Sequence, residues 1–306
     1  VRLLFVHAHP DDESLWTGVS LAHHVADGDE VHVLTMTLGE EGEVIPPELA
    51  HLELPPGEPR DPDAQDPLGA LRREELRDAM AYAGVTSSVV LGEDDDPVQL
   101  ADPERALPRY RDSGMAGTPS VEHPSAFVRA DLDDAAEAVA AHIRRVDADV
   151  VVTYDANGGY GHPDHIQTHR VTRAAVQLVE RTPRLMVILT PQSWASQDRS
   201  WLKHVPEARL RADRLELPPE GHAAELSVVP DDVVTHATVD PSAVATQRTA
   251  LGAHRTQVRV FDDCFALSND VAVRLAGREG FAEIDPATGS LLKGNEGARR
   301  GLTEEV

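Results

Sequence analysis

The chain has 306 residues, with 53 acidic side chains against 28 basic ones and a formal net charge of −25 at neutral pH. Such a length buries a substantial core and fits one large domain or two small ones. The charge excludes phosphate-backbone binding and docking on an anionic membrane as the main task, since both need clustered Lys and Arg; neither nucleic acid nor membrane is expected as a partner.

In chain order, residues 2–7 (RLLFVH) form a short apolar run that stops at a Pro-Asp-Asp turn, as buried parallel strands do. Residues 14–26 carry Leu15, Val19, Leu21, Ala22 and Val25 at helical spacing, and Gly28 follows as a cap. A second strand is predicted over 30–38, then a long polar loop over 39–67 whose length suggests a role. A helix over 68–84 leads to a strand at 87–91, and a polar loop runs from Arg111 to Pro124. A helix over 130–146 opens on acids that suit its N-terminus. A fourth strand at 149–155, a helix at 164–181 and a strand at 184–190 follow. Beyond about residue 195 the pattern weakens: 223–239 reads as strand, 240–254 as helix and 285–306 as a frayed polar tail.

Alternating strands and helices imply an α/β fold, a Rossmann-like open parallel sheet of order 3-2-1-4-5 with flanking helices and a smaller C-terminal α+β part. Residues 1–190 form the expected catalytic core, and residues 191–306 complete the pocket as one continuous unit with it. Strands 1 and 4 are then neighbours, and the loops after them meet at the switch point where open α/β sheets bind ligands. Neither G-x-G-x-x-G nor a P-loop pattern is present, which excludes a nicotinamide or flavin oxidoreductase. No apolar run nears the roughly 20 residues of a membrane span, and residues 1–8 lack an export-signal layout, so a cytoplasmic location is expected. The lone cysteine, Cys264, excludes an intrachain disulfide and a multi-cysteine zinc site.

Two segments carry chemistry. His7-Ala8-His9-Pro10-Asp11-Asp12-Glu13 closes the first strand, and Tyr160-Gly161-His162-Pro163-Asp164-His165 follows the fourth. Singly, each fits a structural turn or a helix cap. Together at adjacent strand ends they point to a metal site, because imidazole and carboxylate suit zinc or a similar divalent ion. Catalytic zinc takes three protein ligands and keeps one open position; His9, Asp12 and His165 supply that set. His7 is expected inside the sheet and Glu13 in the first helical turn.

AHPDDE (8–13) followed by GHPDH (161–165) resembles the PIG-L/LmbE-type zinc-dependent N-deacetylase family. TLGEEGEV (37–44), YRDSGMAGT (110–118), VVTYDANGGYGHPDH (151–165) and AHRTQV (253–258) resemble its mycothiol-pathway branch, which holds N-acetylglucosaminyl-inositol deacetylases and their sister mycothiol S-conjugate amidases. The resemblance implies one Zn²⁺ per chain, or Fe²⁺ in the same ligand set, held by His9, Asp12 and His165. It implies Asp11 as general base, His162 as the second histidine with Asp164 setting its charge, and Tyr160 as a mobile active-site tyrosine. Arg72, or Arg73 if the register slips, and Asp112 become substrate contacts. The implied substrate is a small amino-sugar–inositol. An imidazolium at His162, favoured by Asp164, is expected to hold the oxyanion.

Trp16 and Glu41 stand where the amidases tend to carry basic residues, which leans toward deacetylation. Tyr110, Ala156 and Arg255 depart from the deacetylase pattern, and 192–236 matches poorly and is a candidate pocket wall. Other sugar N-acetyl deacetylases and a non-catalytic acidic metal-binding protein are the competing readings; the second would favour oxygen-rich calcium sites over histidine.

Overall fold

A computed structural model describes residues 1–55, 58, 66–92, 109–219, 227–292 and 301–304. The parallel core comprises β1 (Arg2–His7), β2 (Glu30–Thr35), β3 (Ser87–Val90), β4 (Val150–Thr153) and β5 (Arg184–Pro191) in the order β3-β2-β1-β4-β5. β1 is central, pairing in parallel with β2 on one side and β4 on the other. Its apolar run is explained by burial on both faces. Leu4 and Val6 pack under helices Leu132–Val146 and Pro163–Ala175, through Val139, Ile143 and Val171. Leu3 and Phe5 face the other way, onto Leu21, Leu76 and Ala250.

Local chemistry sets the helix ends. The Asp131 carboxylate caps Leu132–Val146 by accepting from the Asp133 and Asp134 amides. Helix Pro67–Ala83 starts with Pro at its first position and an Asp66 cap, and Gly84 ends it in the left-handed region.

The sheet does not stop at β5. β11 (Arg278–Ile284) pairs antiparallel with β5, and β7 (His236–Val239) pairs antiparallel with β11; the described part of the expected 223–239 strand is two short strands, β6 (Val228–Val229), parallel to β5, and β7. The C-terminal part therefore extends the same sheet. It also contributes helix Val244–Ala253 and a small antiparallel sheet of β8 (Arg259–Val260), β9 (Cys264–Ala266) and β10 (Val273–Arg274). Among the described residues no helix is long and apolar enough to cross a membrane.

Several expectations need correcting. The helix over 14–26 is two helices, Asp12–Trp16 and Gly18–Ala26, broken at Thr17. The Thr17 hydroxyl meets His7 Nε2 at 3.0 Å and donates to the Glu13 carbonyl, so the break serves the end of β1. The helix over 164–181 ends at Ala175. The tail is not frayed at Leu302, which is fully buried and whose carbonyl accepts from Arg184. Parts of the 39–67 loop (56–57 and 59–65), of the 223–239 strand (223–226) and of the tail (293–300 and 305–306) lie outside the described residues.

Candidate metal centre and active cleft

β1 and β4 pair directly, so the loops at their C-terminal ends face one another. The chain after β1 turns sharply: Asp11 sits at φ 124°, ψ −34°, a region that residues with a side chain rarely occupy. Asp12 then opens a short helix. The chain after β4 passes through Gly158, Gly159 and Gly161, all at positive φ, before His162 caps the Pro163–Ala175 helix. That cap places Asp164 and His165 in the first turn, both fully buried. A Cβ at Gly158 would lie 2.8 Å from the His165 Cβ, so a larger residue there would displace this histidine.

The donor atoms of His9, Asp12 and His165 converge as the ligands of a metal would. The Asp12 Oδ2 lies 3.2 Å from His9 Nδ1 and 3.4 Å from His165 Nε2. Four-coordinate zinc with bonds of about 2.0–2.1 Å sets its ligand atoms about 3.3–3.4 Å apart, and these spacings match. The far nitrogen of each ring is held by protein oxygen: His9 Nε2 faces Asp164 Oδ2 at 3.4 Å and Asp112 Oδ1 at 3.5 Å, and His165 Nδ1 faces the Gly158 carbonyl at 3.2 Å. Metal-binding histidines are oriented in this way. His165 Nε2 itself is buried without a hydrogen-bond partner. Trp16 Nε1 steadies the carboxylate by donating to Asp12 Oδ1 at 3.1 Å. Two overlapping groupings, His9 with His162 and His165 and His9 with Asp112 and Asp164, bring ligand atoms within 4.8 Å of one another, and neither contains Asp12 of the expected set.

Burial raises the Asp11 carboxyl to about 7, against the opposing pull of the Arg72 guanidinium 3.2 Å away. A carboxyl poised near neutrality is matched to acid–base work. Burial opposes the charge on His9, yet Asp112, Asp12 and Asp164 together hold its pKa well above the ordinary value.

The structure departs from expectation at His162. Burial, with His9 and His165 nearby, pushes this ring down to about 3. Its Nδ1 accepts the Asp164 backbone N–H at 3.2 Å and so carries no proton. The Asp164 carboxylate does not charge this ring; its Oδ2 serves His9 Nε2 and the Ser113 amide. A neutral His162 with Nδ1 accepting in this way carries its proton on Nε2.

Arg72 lines the cleft, and its guanidinium donates to the Pro10 and Gly39 carbonyls and to Asp11, so it also clamps the turn that carries Asp11. Asp112 is nearly fully buried, accepting from the Glu41 and Gly114 amides beside His9. Tyr160 stands exposed at the rim, its ring edge-on to His165 at 5.2 Å and to His162 at 6.0 Å. The cleft, counted with the open space at its mouth, spans about 720 Å³ and is lined by His9, Asp11, Asp12, Arg72, Asp112, Tyr160 and His162, while Asp164 and His165 lie fully buried behind it. The C-terminal part closes it with Gln257, Leu267 and Ser268, and no described residue of 192–236 lines it.

Sequence reasoning missed four residues that build the site. Tyr154 is fully buried, stacks on His165 with ring centroids 4.1 Å apart, and accepts the Ala8 N–H through its hydroxyl. Glu75 receives the Thr256 amide and hydroxyl, which docks the AHRTQV segment against the helix bearing Arg72. Glu13 and His254 form a fully buried pair at 2.7 Å. AHRTQV was the available signal for His254, but nothing within it named a partner 241 positions away.

A family model described as PIG-L, GlcNAc-PI de-N-acetylase, matches residues 4–176. The 1D-myo-inositol 2-acetamido-2-deoxy-alpha-D-glucopyranoside deacetylase of Thermobifida fusca is 43% identical over 296 residues, covering 92% of this chain and 91% of its own. The protein of the same description from Thermomonospora curvata is 39% identical, covering 98% of this chain and 95% of its own. That from Rhodococcus opacus is 43% identical, covering 94% and 93%.

Proposed function

Because the chain belongs to the PIG-L family of de-N-acetylases, we propose that it hydrolyses the acetamide of N-acetylglucosaminyl-inositol, releasing acetate and glucosaminyl-inositol. The observation that carries the chemistry is the pair of imidazoles whose far nitrogens are held by protein oxygens while their near nitrogens flank one Asp12 oxygen at 3.2 and 3.4 Å. His9, Asp12 and His165 hold the metal in this reading, and the soft-to-borderline nitrogen donors favour zinc over calcium or magnesium. Held there, zinc would supply Lewis acidity toward the amide carbonyl and lower the pKa of water.

Asp11 takes the proton of the attacking water. As the C–N bond breaks, the same carboxyl returns that proton to the leaving nitrogen, and the second water proton passes from the nascent acetic acid to the amine, so the products are acetate and the ammonium form of the amine. A carboxyl poised near 7 suits both directions of transfer. His162, neutral, offers its Nε2–H to the oxyanion as a hydrogen-bond donor, a contribution of roughly 2.7–4 kcal/mol for donors of this kind. Tyr160 sits on a glycine-flanked turn at the rim, placed to cover bound sugar.

The cleft's charge separates two substrate classes. Asp11, Asp12, Glu41, Glu43 and Asp112 line it, and Arg72 is the one Arg or Lys among the described lining residues. Arg72 is already committed to Pro10, Gly39 and Asp11. That lining favours a neutral polyol over a phosphate-bearing inositol lipid. A free-amine release assay on the zinc-loaded protein tests this, comparing N-acetylglucosaminyl-inositol, N-acetylglucosamine, a phosphatidylinositol-linked N-acetylglucosamine and a mycothiol conjugate. Turnover of the first should dominate. Preferred cleavage of the conjugate would transfer the chain to the amidases, and preference for the lipid would overturn the charge argument.

A further inference from the structure

We infer that His254 is a positioning residue for the base: through Glu13 it holds the turn on which Asp11 sits. The inference rests on the role of Asp11 proposed above. Asp11 lies at φ 124°, ψ −34°, so its backbone must be held by its surroundings. Two grips hold it. Arg72 takes the Pro10 carbonyl and the Asp11 carboxylate from one side. From the other, Glu13 Oε2 accepts the Asp11 N–H at 3.0 Å.

Glu13 cannot hold that amide unless its own carboxylate is fixed. It is fully buried, and its other oxygen accepts from the Ser14 hydroxyl at 2.6 Å and from His254 Nε2 at 2.7 Å. His254 is also fully buried and sits just past the end of the Val244–Ala253 helix. The next residues are anchored by Glu75 through Thr256, and the Thr256 carbonyl accepts the Ile45 amide. The C-terminal part thus reaches the base by a continuous path: docked segment, His254, Glu13, Asp11 N–H. Neither His254 nor Glu13 lines the cleft, so the pair acts on the substrate only through the placement of Asp11.

Two variants of matched polarity separate positioning from folding. In His254→Gln the amide nitrogen reaches the place of Nε2 and can still donate to Glu13; in His254→Asn it falls short. The zinc-loaded proteins are compared for metal stoichiometry, KM and kcat in the amine-release assay. His254→Asn should show kcat at least tenfold below His254→Gln, with equal metal content and KM within about twofold. Placing His254→Asn on an Asp11→Asn background should add no further loss, because the path ends at Asp11. Equal kcat in the two variants, or losses that multiply in the double variant, would overturn the inference. An active Asp11→Asn protein would instead remove Asp11 as base, which is a separate failure.

Discussion

Replacing Asp164 by asparagine distinguishes the His9, Asp12 and His165 ligand set from one of His9, Asp112 and Asp164. If His9, Asp12 and His165 hold the metal, Asp164 only orients His9 through its Nε2, 3.4 Å away. Loss of such a partner typically weakens metal binding by about 10–100-fold. Asp112 Oδ1 lies 3.5 Å from the same nitrogen and remains as an acceptor, so the lower end applies. Asp164→Asn should therefore raise the zinc Kd about tenfold, or about 1.4 kcal/mol. The double variant with Asp112→Asn should approach about a hundredfold. Removing a true ligand costs more: about 10–16 kcal/mol shared over four ligands is about 2.5–4 kcal/mol each, or about 10²–10³-fold. His165→Ala should fall in that class. Competition against a chromogenic chelator gives each Kd, with metal analysis of the dialysed protein as a second readout. Should Asp164→Asn strip the metal while His165→Ala keeps its affinity, the ligands would be His9, Asp112 and Asp164, and the assignment made from the Asp12 spacings would be refuted.

Asp11→Asn should keep its metal and lose about 10²–10⁴-fold in kcat, the range for a positioned acid–base group, as read by amine release; unchanged turnover removes it as base. Gly158→Ala should lower the urea midpoint and weaken zinc binding together. A side chain at its φ of 60° costs about 1–2 kcal/mol before the contact with His165 is counted. Unchanged midpoint and affinity would show that this turn does not set His165. Far from the cleft's chemistry, burial raises Glu279 from 4.5 to about 7 although it accepts the Val19 and Ser20 amides. Its folded-state pKa lies above the unfolded one, so its contribution is full below pH 4.5 and is lost as pH rises toward about 7, by up to about 3 kcal/mol. Between pH 5 and pH 7.5 the Tm of Glu279→Gln should therefore gain on that of the parent protein, and a pH-independent gap would count against a buried, proton-binding Glu279.

Local pattern alone was enough for the parallel half of the fold. Short apolar runs such as LLFV, alternating with amphipathic helices, admit few sheet orders once crossovers are right-handed, and β3-β2-β1-β4-β5 is among them. The two His-Pro-Asp turns were visible for the same reason: each is a local string, and pairing of β1 with β4 brings the strings together. β7 was read only as the end of a longer strand over 223–239 and β11 was not legible, because antiparallel pairing of β11 with β5 and of β7 with β11 depends on partners far away in the chain and leaves only a weak local signal.

What resisted reading in the site was the identity of partners. Sequence adjacency suggested that Asp164 charges His162, yet the helix cap turns the His162 Nδ1 onto a backbone N–H and sends the carboxylate to His9. Adjacency placed Glu13 in the first helical turn, where it lies, but carried no sign that its carboxylate takes the Asp11 amide and His254. Residue type and spacing determined that this chain could gather imidazoles and carboxylates at one sheet edge. Only the tertiary structure decided which nitrogen faces which oxygen, because rotamers and protonation follow from burial and from neighbours contributed by distant segments.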